Sequence, residues 1–348
     1  MPSIPTSPLR TTLCAVRLAA FSAFVVTVAT VAAEAACAGD DIRSKIEAAA
    51  PGALAGIEAD LAAVPNADGK LWRVTSSGGK VSHLFGTMHV SDPGTVALSP
   101  EAEAAHADAS TVIIETTDML DPAAASAAIG ARPDLMFFMD GSNLLDLLPD
   151  EDEPAVERAL AERGSSLVAM KAFQPWMVMA QLSIPACATA NPEAGLDIAL
   201  ATAARDRGDR IAGLETMEEQ LTAITSMPID LQVEALVDAA RLGEGVDDLY
   251  ATMSALYREG EIGAIWPVLN AASELLLGEA QSAAETEAMV KLEQALVIER
   301  NYRMAERAVP YLKEGGAFVA VGALHLPGEE GLVELLRGRG FKVERAAL

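Results

Sequence analysis

Hydrophobic and polar positions follow two different rhythms along this chain. Residues 71–75 and 81–85 are rich in β-branched and aromatic side chains, and the "SSGG" between them is a hairpin signal. The second run leads directly into "GTMHV". A polar helix follows in "SPEAEAAHADA", with Ser99 as its N-cap and acids in its first turn, and then a short apolar strand around residues 112–115, "TVIIE". The succession of strand, helix and strand predicts a βαβ unit with a parallel pair. Helical spacing dominates residues 121–310, in "DEPAVERALAERG", "AFQPWMVMAQLSI", "GLDIALATAARDRG", "DLQVEALVDAARLG" and "KLEQALVIERNYRMAERAVPYL". Gly or Pro punctuates most of these stretches. "DRIAGLET" (209–216) interrupts them as a further strand candidate, "GGAFVAVGALH" is a strong strand signal, and "FKVERAA" is the last strand candidate. Residues 39–66 read as a helical lead-in.

The fold class expected is therefore α/β. A mixed central sheet carries two strand–turn–helix units, with a long, mostly helical insertion between them. No Gly-, Ser- or Pro-rich linker divides the chain, so 36–348 reads as a single domain with the insertion at about 121–310.

Composition narrows the partners. With 51% hydrophobic residues the chain can bury a large core, and 50 Asp+Glu against 25 Lys+Arg leave a formal net charge of -25. That balance argues against nucleic acid and anionic lipid, whose affinity comes from cations replacing phosphate counterions. It suits cationic partners, metal ions included.

The N-terminus has Arg10, Arg17 and no acid before an apolar run at 18–33, closed by the small residues Ala33 and Ala35. This is the pattern of a signal peptide over residues 1–35, so the protein is expected to be exported, to the periplasm or outside the cell, with no later membrane span. A retained anchor and a lipoprotein attached at Cys37 are the rival readings; Glu34 stands where a lipobox requires an aliphatic residue. Cys14 leaves with the signal, and Cys37 and Cys187 remain as a possible disulfide.

The candidate chemistry sits at strand ends. Two of the four histidines share one spacing: Gly86-Thr87-Met88-His89 and Gly322-Ala323-Leu324-His325. Ligands of open α/β sheets lie outside the carboxyl ends of strands, and a glycine there admits close backbone approach. An imidazole three residues on can bind metal or move protons near neutral pH. Glu115 ends "TVIIE" at an equivalent position, so His89, His325 and Glu115 could gather around one divalent metal with a water position left open. The plainer alternative makes each histidine a structural hydrogen-bonder and Glu115 a helix cap. His83, inside the second strand, and His106, on the polar helix, are expected to be structural or surface residues. The methionines of "WMVMAQ" read as core filler, and "PDEDEP" as a solvated helix start.

Beyond these patterns the chain resembles the TraB/GumN family, whose eukaryotic relatives include the Tiki proteases. The resemblance rests on "LFGTMHV", "VIIET", "GLETMEEQL", "ERNYRMAERAVPYL" and "GGAFVAVGALHLPGEEGLVELLRGRGFKVER", in family order over about residues 70–345. It implies an α/β core of the kind shared with ChaN-type haem-uptake proteins and erythromycin-esterase-like hydrolases. It also implies a metal-dependent, peptidase-like hydrolase, with manganese or cobalt as the metal. Carried over by position, the implied catalytic residues are His89, Glu115, His325, Glu215 and Arg300, with His89, Glu115 and His325 at the metal. Gly86, Gly322 and Asn301 are implied in cofactor binding, and Arg300 is expected to stabilise an oxyanion. Its substrate is expected to be a peptide or small molecule. The alternative is a non-catalytic periplasmic ligand binder, or an envelope or export accessory acting through a protein partner.

Overall fold

The computed structural model describes residues 39–88, 97–185, 195–278, 290, 291 and 293–346. The expected signal peptide, Cys37, Cys187 and His89 lie outside them. Six strands form one sheet: β1 (Leu71–Thr75), β2 (Val81–Thr87), β3 (Thr111–Ile114), β4 (Arg210–Gly213), β5 (Ala317–Gly322) and β6 (Lys342–Arg345), in the order β4-β3-β5-β2-β1-β6. β4, β3, β5 and β2 are mutually parallel, and β1 runs antiparallel to both β2 and β6. The fold is the expected mixed α/β sheet, and every strand read from the sequence is present, those in "DRIAGLET" and "GGAFVAVGALH" being confined to Arg210–Gly213 and Ala317–Gly322.

Local chemistry accounts for these elements. The turn from β1 to β2 closes with Ser76 N–H donating to the Lys80 carbonyl at 2.9 Å, and Gly79 takes the left-handed φ of 76° that the turn requires. Ser99 caps the helix α1 (Pro100–Ala107), its hydroxyl accepting from Ala102 N–H at 3.2 Å. β3 and most of β5 are buried on both faces, as parallel strands between helical layers are, and so their sequences are continuous apolar runs rather than alternations.

Helices cover the two faces. On one face Leu84, Val319, Val321 and Ile113 pack under α4 (Glu299–Glu314) and α5 (Leu332–Gly338). On the other, Phe85, Val112, Phe318 and Ala320 pack under α1 and α2 (Leu196–Arg207). α3 (Met217–Thr225) follows β4. The insertion builds a second helical core of its own, in which Leu144, Val156, Leu160, Val178, Leu182 and Leu236 meet. The lead-in is two short helices, Arg43–Ala49 and Ala53–Leu61.

Two expectations are corrected. β2 and β3 do not pair, because β5 lies between them and is parallel to both. The expected βαβ unit is thus opened by a strand that arrives some two hundred residues later. Within "PDEDEP", Asp152 is 9% exposed and accepts from Arg241 at 2.8 Å, so this acidic run is not wholly a solvated start. His106 is the structural residue expected: it is 6% exposed, its Nε2 lies 3.0 Å from the Leu200 carbonyl and its ring is edge-on to Phe318. His83 is half-buried opposite Arg73 on β1. Burial, with a nearby arginine, holds both imidazoles below the ordinary histidine value.

Candidate functional site

Four parallel strands bring their carboxyl ends to one edge of the sheet. Residues just past three of those ends, Glu115 after β3, Glu215 after β4 and His325 after β5, form a connected polar cluster. The segments after β3 and β4 are tied together by their backbones: the Glu115 carbonyl accepts from Leu214 N–H at 3.0 Å and Glu215 N–H at 2.7 Å.

Glu115 is 4% exposed, and its carboxylate is held at both oxygens. Oε1 accepts from the Gly322 backbone N–H at 2.6 Å. Oε2 accepts from Arg300 Nη2 at 2.6 Å and Gln220 Nε2 at 3.1 Å. Arg300 reaches this place from the first turn of α4, directly after a π-helical turn at Gln294–Ile298 that shifts the helix phase. Its Nε donates to Glu215 Oε2 at 2.8 Å and its Nη1 to the Leu296 carbonyl at 3.0 Å. The Glu215 carboxylate, fully buried at its side chain, also accepts from Arg303 at 3.2 Å. Burial on its own would lower the proton affinity of Arg300, but the charges of Glu115 and Glu215 outweigh it and raise it. Two buried carboxylates and two guanidiniums therefore balance in charge, which is what burial of ionised groups requires.

His325 is 5% exposed, in a single 3₁₀ turn that starts where β5 ends. Its Nδ1 lies 2.7 Å from Asn301 Oδ1, and its Nε2 lies 3.7 Å from Glu115 Oε1. Asn301, 1% exposed, donates from Nδ2 to the Glu330 carbonyl at 2.9 Å, so both ends of its amide are engaged within the protein.

The two Gly-x-x-His segments interlock. Thr87 stands beside Gly322 in the β2–β5 register. A Cβ built on Gly86 would lie 2.8 Å from Leu326 Cδ1 and 2.9 Å from Ala323 Cα, so this glycine is the space into which the second segment fits. The Gly86 carbonyl accepts from the hydroxyl of Tyr257 at 2.8 Å, a residue of α-helix Gly245–Glu259 that is 2% exposed. Lys70 stacks on the Tyr257 ring at 4.4 Å.

Of the residues expected at the site, the structure thus brings together Glu115, His325, Glu215, Arg300, Asn301, Gly86 and Gly322. His89 lies outside the described residues; Met88, buried, immediately precedes it. Arg300 pairs across the fold, with Glu115 and Glu215. Glu215 does not cap α3; Thr216 does, in a capping box with Glu219. Gln220, Arg303 and Tyr257 were not anticipated. Arg303 had a legible signal: Arg300, Arg303 and Arg307 stand at i, i+3 and i+7, one helix face, and Arg307 pairs with Glu219 at 2.7 Å as Arg303 does with Glu215. Gln220 and Tyr257 had none.

Among the described residues, no three His, Cys, Asp or Glu side chains form a group that could hold a metal. His325 Nε2 and Glu115 Oε1 are an imidazole nitrogen and a carboxylate oxygen 3.7 Å apart. Two such ligands at roughly 2.1 Å from a tetrahedral metal stand about 3.4 Å apart, so this pair fits as part of a ligand set. A cleft of about 790 Å³ lined by Arg43, Leu54, Ile57, Glu259 and Arg345, among others, shares no residue with the cluster.

No helix among the described residues is long and apolar enough to cross a membrane. No solved structure matches the chain. A relative described as metalloprotease TIKI2, from Xenopus tropicalis, is 25% identical over 306 residues, 76% of this chain and 57% of the relative. The chain thus spans a little over half the length of that curated relative. The model of the TraB/PrgY/gumN family matches residues 70–345, the span that contains all six strands and the whole polar cluster, and the chain belongs to that family.

Proposed function

We propose that this protein is a hydrolase of peptide-like amide bonds, acting at the carboxyl-end cluster around His325 and Glu115. The observation that carries the reading is the 3.7 Å approach of His325 Nε2 to Glu115 Oε1, both in a buried and charge-balanced setting. The name of the TIKI2 relative supports the same class of chemistry.

A water at about 2.8 Å from both atoms completes a triangle on that 3.7 Å base. His325 Nε2 takes its proton as the water's oxygen bonds to the scissile carbonyl carbon, and the imidazolium formed is stabilised by the neighbouring carboxylate; as the tetrahedral intermediate collapses the C–N bond breaks and the imidazolium gives that proton to the departing amine. Arg300 and the Gly322 N–H fix Glu115 so that the pair needs no rearrangement during the reaction. Glu215 takes no proton in this scheme; its carboxylate is fully occupied in positioning Arg300 and Arg303. Arg300 has each of its three nitrogens engaged in the protein, which assigns it to holding carboxylates, not to an oxyanion. A divalent metal held by His325, Glu115 and His89 would supply a more acidic water and a polarised carbonyl.

The test is digestion of a peptide library by the full chain, with and without added manganese and with a chelator, for wild type and His325→Ala. Cleavage that His325→Ala reduces by about 100-fold or more supports the reading. Cleavage that survives the substitution, or none under any of these conditions, ends it. Export to the periplasm or beyond, from the character of residues 1–35, belongs to the same proposal and is checked by fractionation of the full-length chain.

A further inference from the structure

The hydrogen-bond chain behind His325 settles which of its ring nitrogens carries the proton. The Glu330 backbone carbonyl can only accept, and it lies 2.9 Å from one end of the Asn301 amide. That end must be the NH₂. The other end, facing His325 Nδ1 at 2.7 Å, is then the oxygen, an acceptor, and Nδ1 must bear the hydrogen. Turning the amide over would set two oxygens against each other in a place that is 1% exposed, at the cost of both bonds. In the neutral ring the lone pair is left on Nε2, on the side of Glu115 Oε1.

The segment after the histidine is shaped to deliver that carbonyl. In Pro327–Gly328–Glu329–Glu330–Gly331 the chain turns so tightly that a Cβ on Gly331 would come within 2.3 Å of the Leu326 and Pro327 carbonyl oxygens. Gly328, at φ 92°, anchors the turn by donating to the Pro65 carbonyl at 2.8 Å. Tyr302, next to Asn301 on α4, donates to the Glu330 side chain at 3.0 Å. The turn is therefore fixed from three sides, and the carbonyl with it.

We propose that Asn301 is a positioning residue: braced by the Glu330 carbonyl, it holds His325 as the Nδ1–H tautomer and presents the Nε2 lone pair toward Glu115. A neutral amide orients the ring without adding the basicity that a carboxylate partner would give. The effect on turnover rests on the hydrolase reading; the tautomer does not.

The experiment is nitrogen-15 NMR of the imidazoles in the full-length chain near pH 9, where a histidine of ordinary affinity is neutral. The four histidines are few enough to resolve, and His325→Gln assigns the signal. Wild type is expected to show His325 protonated at Nδ1. Asn301→Ala is expected to show mixed tautomers, and Asn301→Asp, which keeps an acceptor facing Nδ1 but sets its second oxygen against the Glu330 carbonyl, to keep the Nδ1–H form in a less stable protein. In the peptide assay Asn301→Ala lowers kcat by about 10- to 100-fold with KM little changed. An Nε2–H tautomer in wild type, or an unchanged Nδ1–H tautomer in a folded Asn301→Ala, overturns the proposal. The wild-type spectrum decides it even if Asn301→Ala does not fold. Nδ1–H in a wild type that cleaves nothing overturns the hydrolase reading alone.

Discussion

Arg300 and Glu115 meet at 2.6 Å with only 12% and 5% of their side chains exposed, across 185 residues of chain. A pair this buried is held mostly by what its loss would leave behind. Arg300→Ala strands the carboxylates of Glu115 and Glu215 with one guanidinium between them, and is expected to destabilise the protein by about 3–5 kcal/mol in urea unfolding. Arg300→Lys keeps the charge but cannot span Glu115, Glu215 and the Leu296 carbonyl at once, so it recovers only part of that loss.

Gly86 is required by its neighbours and not by its φ. The Cβ of Gly86→Ala would meet Ala323 Cα and Leu326 Cδ1 within 2.9 Å, and the first of these is backbone that cannot rotate away. The expected cost is about 1–3 kcal/mol by thermal or urea unfolding, with a shift in the His325 NMR signal as its turn is pushed outward. Gly78→Ala, where the nearest atom to a new Cβ is Ser76 Oγ at 3.9 Å on an exposed turn, is the neutral control.

Tyr257 donates its hydroxyl to the Gly86 carbonyl from a fully buried position. Tyr257→Phe removes that donor without leaving a large cavity, and is expected to cost about 1–2 kcal/mol in unfolding. Burial also raises the phenol above its ordinary value, so in alkaline spectrophotometric titration this tyrosine ionises after the exposed ones, and only as the protein unfolds.

Glu219 carries an acid-side prediction. Its hydrogen bond with Arg307, aided by the Thr216 N–H, outweighs desolvation and lowers its carboxyl from 4.5 to about 2. The folded value lies below the unfolded one, so the stabilisation is full above about pH 4.5 and is lost as pH falls towards 2. Urea midpoints of wild type should therefore exceed those of Glu219→Gln near neutrality, and the gap should close between pH 4.5 and 2. A gap that stays constant through that window would remove Arg307 as the cause.

β3 and β5 were legible as short apolar runs opened by Ser110 and Gly316, and the turn Ser76–Lys80 announced itself by its composition. The order of the strands was not, since "AFVAVG" reads as a buried strand wherever it is placed; nothing in its residues says that it divides β2 from β3. At the site, Gly86, Gly322, Glu115 and His325 follow from strand ends and motif recurrence. The partners of Arg300 do not, because Glu115 and Glu215 lie on other elements far along the chain, and nothing in the residues around Arg300 names them. Asn301 was visible as a polar residue beside Arg300, but its acceptor, a backbone carbonyl, has no signature in a string of side chains.

The place of β5 in the sheet has a consequence for synthesis. Until residue 322 has emerged, β2 and β3 each present an edge of unpaired N–H and C=O groups, and α1 joins two strands that have no ladder between them. Such a long-range closure is slow compared with hairpins and helices. The nascent chain must therefore carry two sticky borders through most of its elongation, and a ribosome that stalls inside the helical insertion releases a fragment whose β1–β2 hairpin can close but whose outer β2 edge has lost its native partner.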